Sequence, residues 1–316
     1  MEILENESMA AHTSLKTGGC ARYFIKIHSI AELSEAENFA KAQNLPIFLL
    51  GKGTNLLVSD KGFAGVIVQL GSEFSEIRNI GDGRFQVGAA TPLARLARYT
   101  IQEGFAGIHK LAGIPGSLGG AIYMNAGAYG QEIGNAIVEV KSLNAAGEIV
   151  TRNGADCNFS YRHSIFQDLA RNEDRGSSID NDYNSDRSEI ILEATLQLTP
   201  GDTAAMTQEM ETAMEKRRSS QPLNFPNAGS TFKRLTAGAA ETPTQVAPGY
   251  YIEQAGLKGF RIGGAEVSTI HANFIINTRN ATAKDIADLC QLMAQKVQEK
   301  FKISLQREII FLGDFS

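Results

Sequence analysis

The sequence predicts an α+β fold in two parts, a β-rich region to about residue 200 and an α+β domain of about 100 residues beyond it. Three observations carry that expectation. Before residue 200, short apolar runs bounded by Gly, Pro and Asn recur between helical patterns. From residue 203 the texture changes to long helical stretches with short strands between them. Within the first part lies "GIPGSLGGAIYMNAGAYG", residues 113–130, with six glycines in eighteen positions. No strand or helix interior gains from so many residues without side chains.

The elements follow in order. Ser29 with Glu32 makes a capping box for a helix over "AELSEAENFAKAQN", which stops near Asn44 and Pro46. "PIFLL" reads as a buried strand, "GKGTN" as a turn and "LLVSD" as another apolar run. "GVIVQL" (65–70) and "RFQVGA" (84–89) are strands. Thr91 as N-cap and Pro92 as first helical residue open a helix that Gly104 ends. "AIVEVKSLNAAGEIVT" gives two strands around a turn at Ala146 and Gly147, and "EIILEATLQLTPGD" (189–202) one long strand. The polar stretch 167–188 holds too few apolar residues to offset the entropy of ordering it and reads as a surface loop. "AAMTQEMETAMEKRRSS" is helical, "YYIEQAGL" and "NFIIN" are short strands, and 281–301 is an amphipathic helix capped by Thr282 and Asp285. Its stripe of Ile286, Leu289, Met293 and Val297 is core. The expected boundaries are a region 1–200 divided near 70, a domain 201–303, and a tail 304–316.

Composition excludes several classes. The net charge of −5 gives no electrostatic footprint for nucleic acid. Cys20, Cys157 and Cys290 are odd in number and lack metal or disulfide spacing, and the five histidines show no metal spacing either. No apolar run approaches a membrane span and the N-terminus lacks a signal layout, so a soluble cytoplasmic protein is expected.

GxxxxGK[ST], HExxH and GxSxG are absent. "GKGTNL" begins like GxGxxG but has Leu56 in place of the third glycine. Two loops remain, Gly51–Asn55 and Gly113–Gly130, that can turn several main-chain N–H groups toward one anion. Such a nest suits a diphosphate fixed in a large cofactor; the alternative is that the glycines only permit tight turns.

"GKGTNLLVSDKGFAGVIVQL", "LAGIPGSLGGAIYMNAGAYG", "YRHSIF", "NAGSTFKR", "IEQAGLKGFRIGGAEVSTIHANFIIN" and "LQREIIFLG" occur in that order across residues 12–313. Together they resemble the UDP-N-acetylenolpyruvoylglucosamine reductase (MurB) family, in its shorter form. The resemblance implies an FAD-binding region of the vanillyl-alcohol-oxidase (PCMH) type in two subdomains, then a substrate domain. It implies non-covalent FAD, NADPH as electron donor, a UDP-sugar substrate, and a monomer with no metal. Gly51, Gly53, Thr54, Asn55, Leu56, Gly116, Ser117, Gly119, Gly120, Ala121, Asn125 and Gly127 fall in the segments expected to hold FAD. Arg162, Ser230 and Glu308 match the family's substrate-holding arginine, its serine proton donor and the carboxyl brought by the C-terminal tail.

The chemistry accounts for those residue types. As hydride reaches C3 of an enolpyruvyl ether, charge builds at C2 and spreads into the carboxylate. A fixed guanidinium stabilises that charge with a planar fork that pairs both oxygens. A carboxylic acid kept neutral in a dry site donates to the same oxygens, the part left to Glu308. Serine is a weak acid, so Ser230 needs cations such as Lys233 and Arg234 close by. Taken singly, Arg162 reads equally as a surface cation, Ser230 as a turn cap and Glu308 as half of a solvated pair with Arg307. Lys216, Arg217, Arg218, Lys233 and Arg234 lie within 19 positions and are candidate phosphate ligands, joined by Tyr161, His271 and Asn273 as candidates for the substrate. Three departures stand out: the long polar stretch 167–188, the segment 234–249, and Ile310 where the family often carries a basic residue. The competing readings are an oxidase or dehydrogenase of a sugar or hydroxy acid on the same fold, and a non-catalytic module that binds flavin or UDP-sugar.

Overall fold

The computed structural model describes residues 1–170, 189–235 and 247–316. The expected loop 167–188 beyond residue 170, and most of the segment 234–249, lie outside the described residues. The chain divides into two compact units. The first holds Met1–Glu5, Tyr23–Lys52 and Ala64–Arg217; the second holds Asn6–Arg22, Gly53–Phe63 and Arg218–Ser316. The division falls at Arg217 and Arg218, later than the boundary expected near 200. Helix Thr203–Ser220 belongs largely to the first unit because Met206 and Met210 pack with Ala97, Ile101 and Ala112.

The first unit is built on a five-stranded antiparallel sheet, in the order Ile149–Asn153, Ile137–Leu143, Ile190–Gln197, Arg84–Gly88, Ile77–Gly81. Val140, Ala194, Leu196, Phe85 and Val87 pack from it against Leu93, Leu96, Leu118 and Ile122 of two helices, Leu93–Gln102 and Leu118–Tyr123. A second core forms where helix Ile30–Ala42 buries Leu33, Ala36 and Ala40 against Val66 and Val68. There Ile47–Leu49 pairs in parallel with the strand through Val66. In the second unit, helix Ala283–Phe301 lays its stripe of Ile286, Leu289, Met293 and Val297 against Ala265, Val267 and Ile275 of a three-stranded sheet. The Thr282–Asp285 capping box is complete in both directions. Asp60 also accepts the N–H groups of Ala283 and Lys284, both at 2.8 Å, which satisfies donors that the first turn leaves open.

Several local expectations need correction. The helix after "TP" starts one residue later, because the carbonyl of Pro92 accepts the first helical bond from Leu96 and makes Pro92 the N-cap. "YYIEQAGL" is not a strand but falls largely in the helix Pro248–Gln254: Pro248 presets the first turn and left-handed Gly256 follows its end. The strand at 189–202 ends at Gln197, and Thr199–Pro200 pairs instead with Phe105–Ala106. The polar stretch expected as loop from 167 begins as helix Ile165–Leu169, where buried Gln167 donates to the carbonyls of Tyr123 and Arg162. At the first helix Glu32 reaches the N–H of His28, one residue before the expected reciprocal partner Ser29.

Cys20 is exposed, whereas Cys157 and Cys290 are buried, and burial pushes the Cys157 thiol up to about 11. The native protein should therefore titrate one fast-reacting thiol with an aromatic disulfide reagent, and three after denaturation. Two fast thiols in the native state would contradict this packing.

Candidate functional site

In the first unit, the glycines of 113–130 do different work. The N–H of Gly119 donates to Ala89 O at 2.8 Å, and a Cβ there would lie 3.1 Å from Ala89 Cβ, so Gly119 lets helix and strand close up. Gly127 stands in a tight pairing of Gly127–Ala128 with Gln131–Glu132, where a Cβ would come within 2.8 Å of Glu132 Cγ. Gly116 is the opposite case: a Cβ would meet only an Ile114 methyl at 3.9 Å. At Gly120 the nearest atom is Ser117 Oγ at 3.6 Å, and at Gly51 the same oxygen at 3.2 Å. Neither Gly116 nor Gly120 adopts a left-handed backbone. Nothing in the packing of the described residues demands that they be bare. Beside them Thr91 Oγ1 is buried without a hydrogen-bond partner among the described residues, while the Thr91 carbonyl accepts from Leu118. Open glycine backbones around Ser117 and an orphaned hydroxyl are what a docked diphosphate would use, so the residues present fit FAD. Ala121 is buried in the short helix and donates to Ser117 O.

Arg217 sits at the head of this stretch, its Cδ 3.2 Å from where a Gly113 Cβ would be. Burial lowers its pKa from the ordinary arginine value, while Tyr129 acts in the opposite direction. Lys216 Nζ lies 6.0 Å from the Tyr129 ring centre. Arg218, next in sequence, is exposed and belongs to the second unit.

Arg162 occupies a tight turn closed by the mutual bonds of Ser160 and His163 at 3.2 and 3.1 Å. Its φ of 55° is left-handed, an uncommon state for a residue other than glycine. Its guanidinium donates to Gly127 O at 3.3 Å and lies 5.3 Å from the ring of exposed Tyr161. Asn125 braces the turn. Its NH₂ donates to Ser160 O at 2.8 Å and to Glu132 at 3.0 Å, and its Oδ1 accepts from Gly134 at 3.0 Å. The Asn125 side chain is thus committed to protein.

The second unit brings Ser230 and Glu308 together. Strand Ile310–Leu312 pairs in parallel with Leu56–Val58. Just before it, the N–H of Glu308 donates to Thr231 O at 2.8 Å and the N–H of Lys233 to Gln306 O at 2.8 Å. Asn55 holds the other side: its NH₂ donates to Glu308 O at 3.0 Å, and its own carbonyl accepts from Ile310 at 3.0 Å. The loop before Asn55 depends on Gly53, whose φ is 61° and whose Cβ would overlap His12 O at 2.0 Å. Thr54 is half-buried there, and Leu56 turns inward as the first residue of its strand.

Ser230 follows left-handed Gly229, whose N–H donates to Asn227 Oδ1 at 3.0 Å. Asn273, 4% exposed, gives both ends of its amide to Phe232: Oδ1 accepts from Phe232 N–H at 3.0 Å and Nδ2 donates to Phe232 O at 2.9 Å. Its side chain is committed to the main chain of Phe232. Near it, His271 Nδ1 accepts from the Asn273 N–H at 3.2 Å, which leaves Nε2–H as the donor of the neutral ring. Burial holds the His271 pKa below its ordinary value. Lys233 is half-buried and Arg234 exposed. The sequence reading missed Gln221, whose Oε1 is buried without a partner among the described residues and can accept from a ligand. It also missed Asn227, which the "NAG" turn pattern makes legible.

A family model described as UDP-N-acetylenolpyruvoylglucosamine reductase, C-terminal domain, matches residues 221–312, and an FAD binding domain model matches residues 21–153. The chain is similar to the UDP-N-acetylenolpyruvoylglucosamine reductase of Caldanaerobacter subterraneus subsp. tengcongensis, 38% identical over 315 residues, which covers 98% of this chain and 93% of the relative. It is 34% identical to the enzyme of that name from Bacillus subtilis over 312 residues, or 99% of this chain and 94% of the other. Its fold matches the crystal structure of the Thermus caldophilus UDP-N-acetylenolpyruvylglucosamine reductase with a TM-score of 0.76 and 28% identity, covering 99% of this chain and 98% of that one.

The two kinds of glycine separate experimentally. Gly53→Ala should lower the free energy of unfolding by about 3 kcal/mol, from backbone overlap and a left-handed φ together. Gly116→Ala should leave it within about 0.5 kcal/mol while weakening FAD binding in a fluorescence titration. Equal losses of stability in the two variants would remove the ligand from the explanation of Gly116.

Proposed function

The chain belongs to the UDP-N-acetylenolpyruvoylglucosamine reductase family, and from that membership we propose which of its side chains carry the reaction. It is an FAD-dependent oxidoreductase that, with NADPH as reductant, converts UDP-N-acetyl-3-O-(1-carboxyvinyl)-glucosamine to UDP-N-acetylmuramate, a peptidoglycan precursor. Bound FAD, once reduced by NADPH, supplies the hydride that C3 of the enolpyruvyl ether receives. Every other requirement falls to the protein: to hold the carboxylate, stabilise charge spreading from C2, and deliver a proton to C2.

Arg162 holds the substrate carboxylate. Its left-handed turn, braced by Asn125 and Gln167, fixes the base of a long side chain that otherwise carries about 2 kcal/mol of rotamer entropy. Ser230 donates the proton to C2, and Glu308 hydrogen-bonds the carboxylate as its charge grows. The observation that carries this reading is the bond from Glu308 N–H to Thr231 O, which sets carboxyl and hydroxyl on neighbouring segments of one unit. Two main-chain anchors, Asn55 on Glu308 and Asn273 beside Ser230, support the same arrangement. In the first unit Gly51, Gly116, Ser117 and Gly120 line the FAD diphosphate with main chain and one hydroxyl. Arg217, Arg218, Lys233 and Arg234 serve the phosphates of the nucleotide substrates, with Tyr161, Gln221 and the Nε2–H of His271 around the sugar and base.

No helix among the described residues is long and apolar enough to cross a membrane. A nucleotide-sugar substrate and a pyridine-nucleotide donor agree with work in the cytoplasm.

Ser230→Ala should leave flavin reduction by NADPH intact and slow reoxidation by the enolpyruvyl substrate by about 10²–10⁴, the range for a lost general acid. Arg162→Lys, which keeps the charge but loses the fork, should slow the same half-reaction by about 10²–10³. Rapid-mixing absorbance at the flavin band reads both. Equal loss of the two half-reactions in Ser230→Ala would remove the serine from proton delivery.

A further inference from the structure

We propose that Asn273 is a positioning residue for Ser230, acting on the serine through the main chain of Thr231 and Phe232. The proposal rests on the reading of Ser230 as proton donor.

The main-chain bonds of the short segment after Ser230 can be followed on both edges. On one edge it meets the C-terminal strand, through Thr231 O to Glu308 N–H and Lys233 N–H to Gln306 O. On the other edge one residue stands where a strand would be. The Asn273 carbonyl accepts from Thr231 N–H at 2.7 Å, its Oδ1 accepts from Phe232 N–H at 3.0 Å, and its Nδ2 donates to Phe232 O at 2.9 Å. Thr231 and Phe232 are 0% and 1% exposed, so water does not replace these partners. Only a primary amide of this length offers a donor and an acceptor to the two polar main-chain groups of one residue. Aspartate loses the donor, leucine loses both, and either leaves a buried polar group at Phe232 unpaired.

Upstream, Gly229 is tied to Asn227, and its φ of 79° makes it the pivot of the segment. Ser230 therefore hangs between a pivot and the Asn273 brace. Releasing the brace leaves the hydroxyl in place chemically but free to drift, and a displacement of about 1 Å costs about 10²-fold in rate. The rest of Asn273 is fixed by the bond from its own N–H to His271 Nδ1, which keeps the brace itself in register.

The test uses the FAD-loaded full chain with Asn273→Asp and Asn273→Leu. The expected result is flavin reduction by NADPH within about threefold of wild type, a limiting rate of reoxidation lower by about 10²-fold, and a substrate dissociation constant unchanged within about threefold. Hydrogen exchange at residues 231 and 232 should accelerate in both variants. In the Ser230→Ala background, Asn273→Asp should slow reoxidation no further. A raised substrate dissociation constant with an unchanged limiting rate would make Asn273 a substrate ligand and overturn the proposal. So would equal loss in both half-reactions, or losses that add to those of Ser230→Ala. If Asn273→Asp purifies without flavin, Asn273→Ser is read by the same criteria. Slow reoxidation in Ser230→Ala with wild-type reoxidation in Asn273→Asp overturns this proposal alone; wild-type reoxidation in Ser230→Ala overturns the reading of the serine and the proposal with it.

Discussion

Asparagine amides bound to main chain hold the segments around Arg162, Ser230 and Glu308. Asn273 takes both polar groups of Phe232, Asn55 takes the carbonyl of Glu308 itself, and Asn125 takes the carbonyl of Ser160 two residues before Arg162. These backbones lie in a turn or beside short strands, and at Phe232, 1% exposed, both polar groups would otherwise be buried without partners. A strand neighbour would satisfy them too; here single side chains that reach in do so instead. The asparagine side chains, which look like ligands in the sequence, are thus committed to the scaffold around Arg162, Ser230 and Glu308.

The glycines obey a second division. Gly53, Gly62, Gly134 and Gly154 are bare because protein atoms occupy the place of a side chain, with carbonyl oxygens at 2.0, 2.0 and 2.2 Å for the first, second and fourth. Gly116 and Gly120 have no such neighbour among the described residues and no left-handed φ. A chain under selection for stability alone would place alanine there, since glycine costs about 0.5–1 kcal/mol in backbone entropy relative to alanine. Beside them the Thr91 hydroxyl is buried without a partner among the described residues.

Much of this is legible in the sequence wherever the signal is local. The 3.6-residue stripe and capping box of Ala283–Phe301 specify a helix regardless of what covers it, and the density of glycines in 113–130 alone announces close approach. The tertiary decisions are not legible. "YYIEQAGL" has the composition of a strand and becomes a helix because Pro248 sets its first turn and the core needs Tyr251 and Ile252 on one side. Asn55, Asn125 and Asn273 are indistinguishable from ligand-binding asparagines until their partners, 253, 35 and 41 residues away, are known. Hydrogen bonds over such separations leave no mark in spacing or periodicity. Gln221 escapes notice for a related reason: an orphaned buried acceptor is visible only once everything around it has been paired.

The turn at Arg162 shows why such bracing is needed at all. A left-handed arginine costs on the order of 1–3 kcal/mol and persists only where neighbours determine it. Here the determination is triple: the Ser160–His163 pair closes the turn, Asn125 holds the carbonyl of Ser160, and buried Gln167 holds the carbonyl of Arg162 itself. Three hydrogen-bonded contacts of about 1 kcal/mol each are of the size needed to offset that strain. An arginine on a relaxed loop would have to be ordered anew by whatever it bound. The strained turn orders the Arg162 backbone in folding, where the cost is met once.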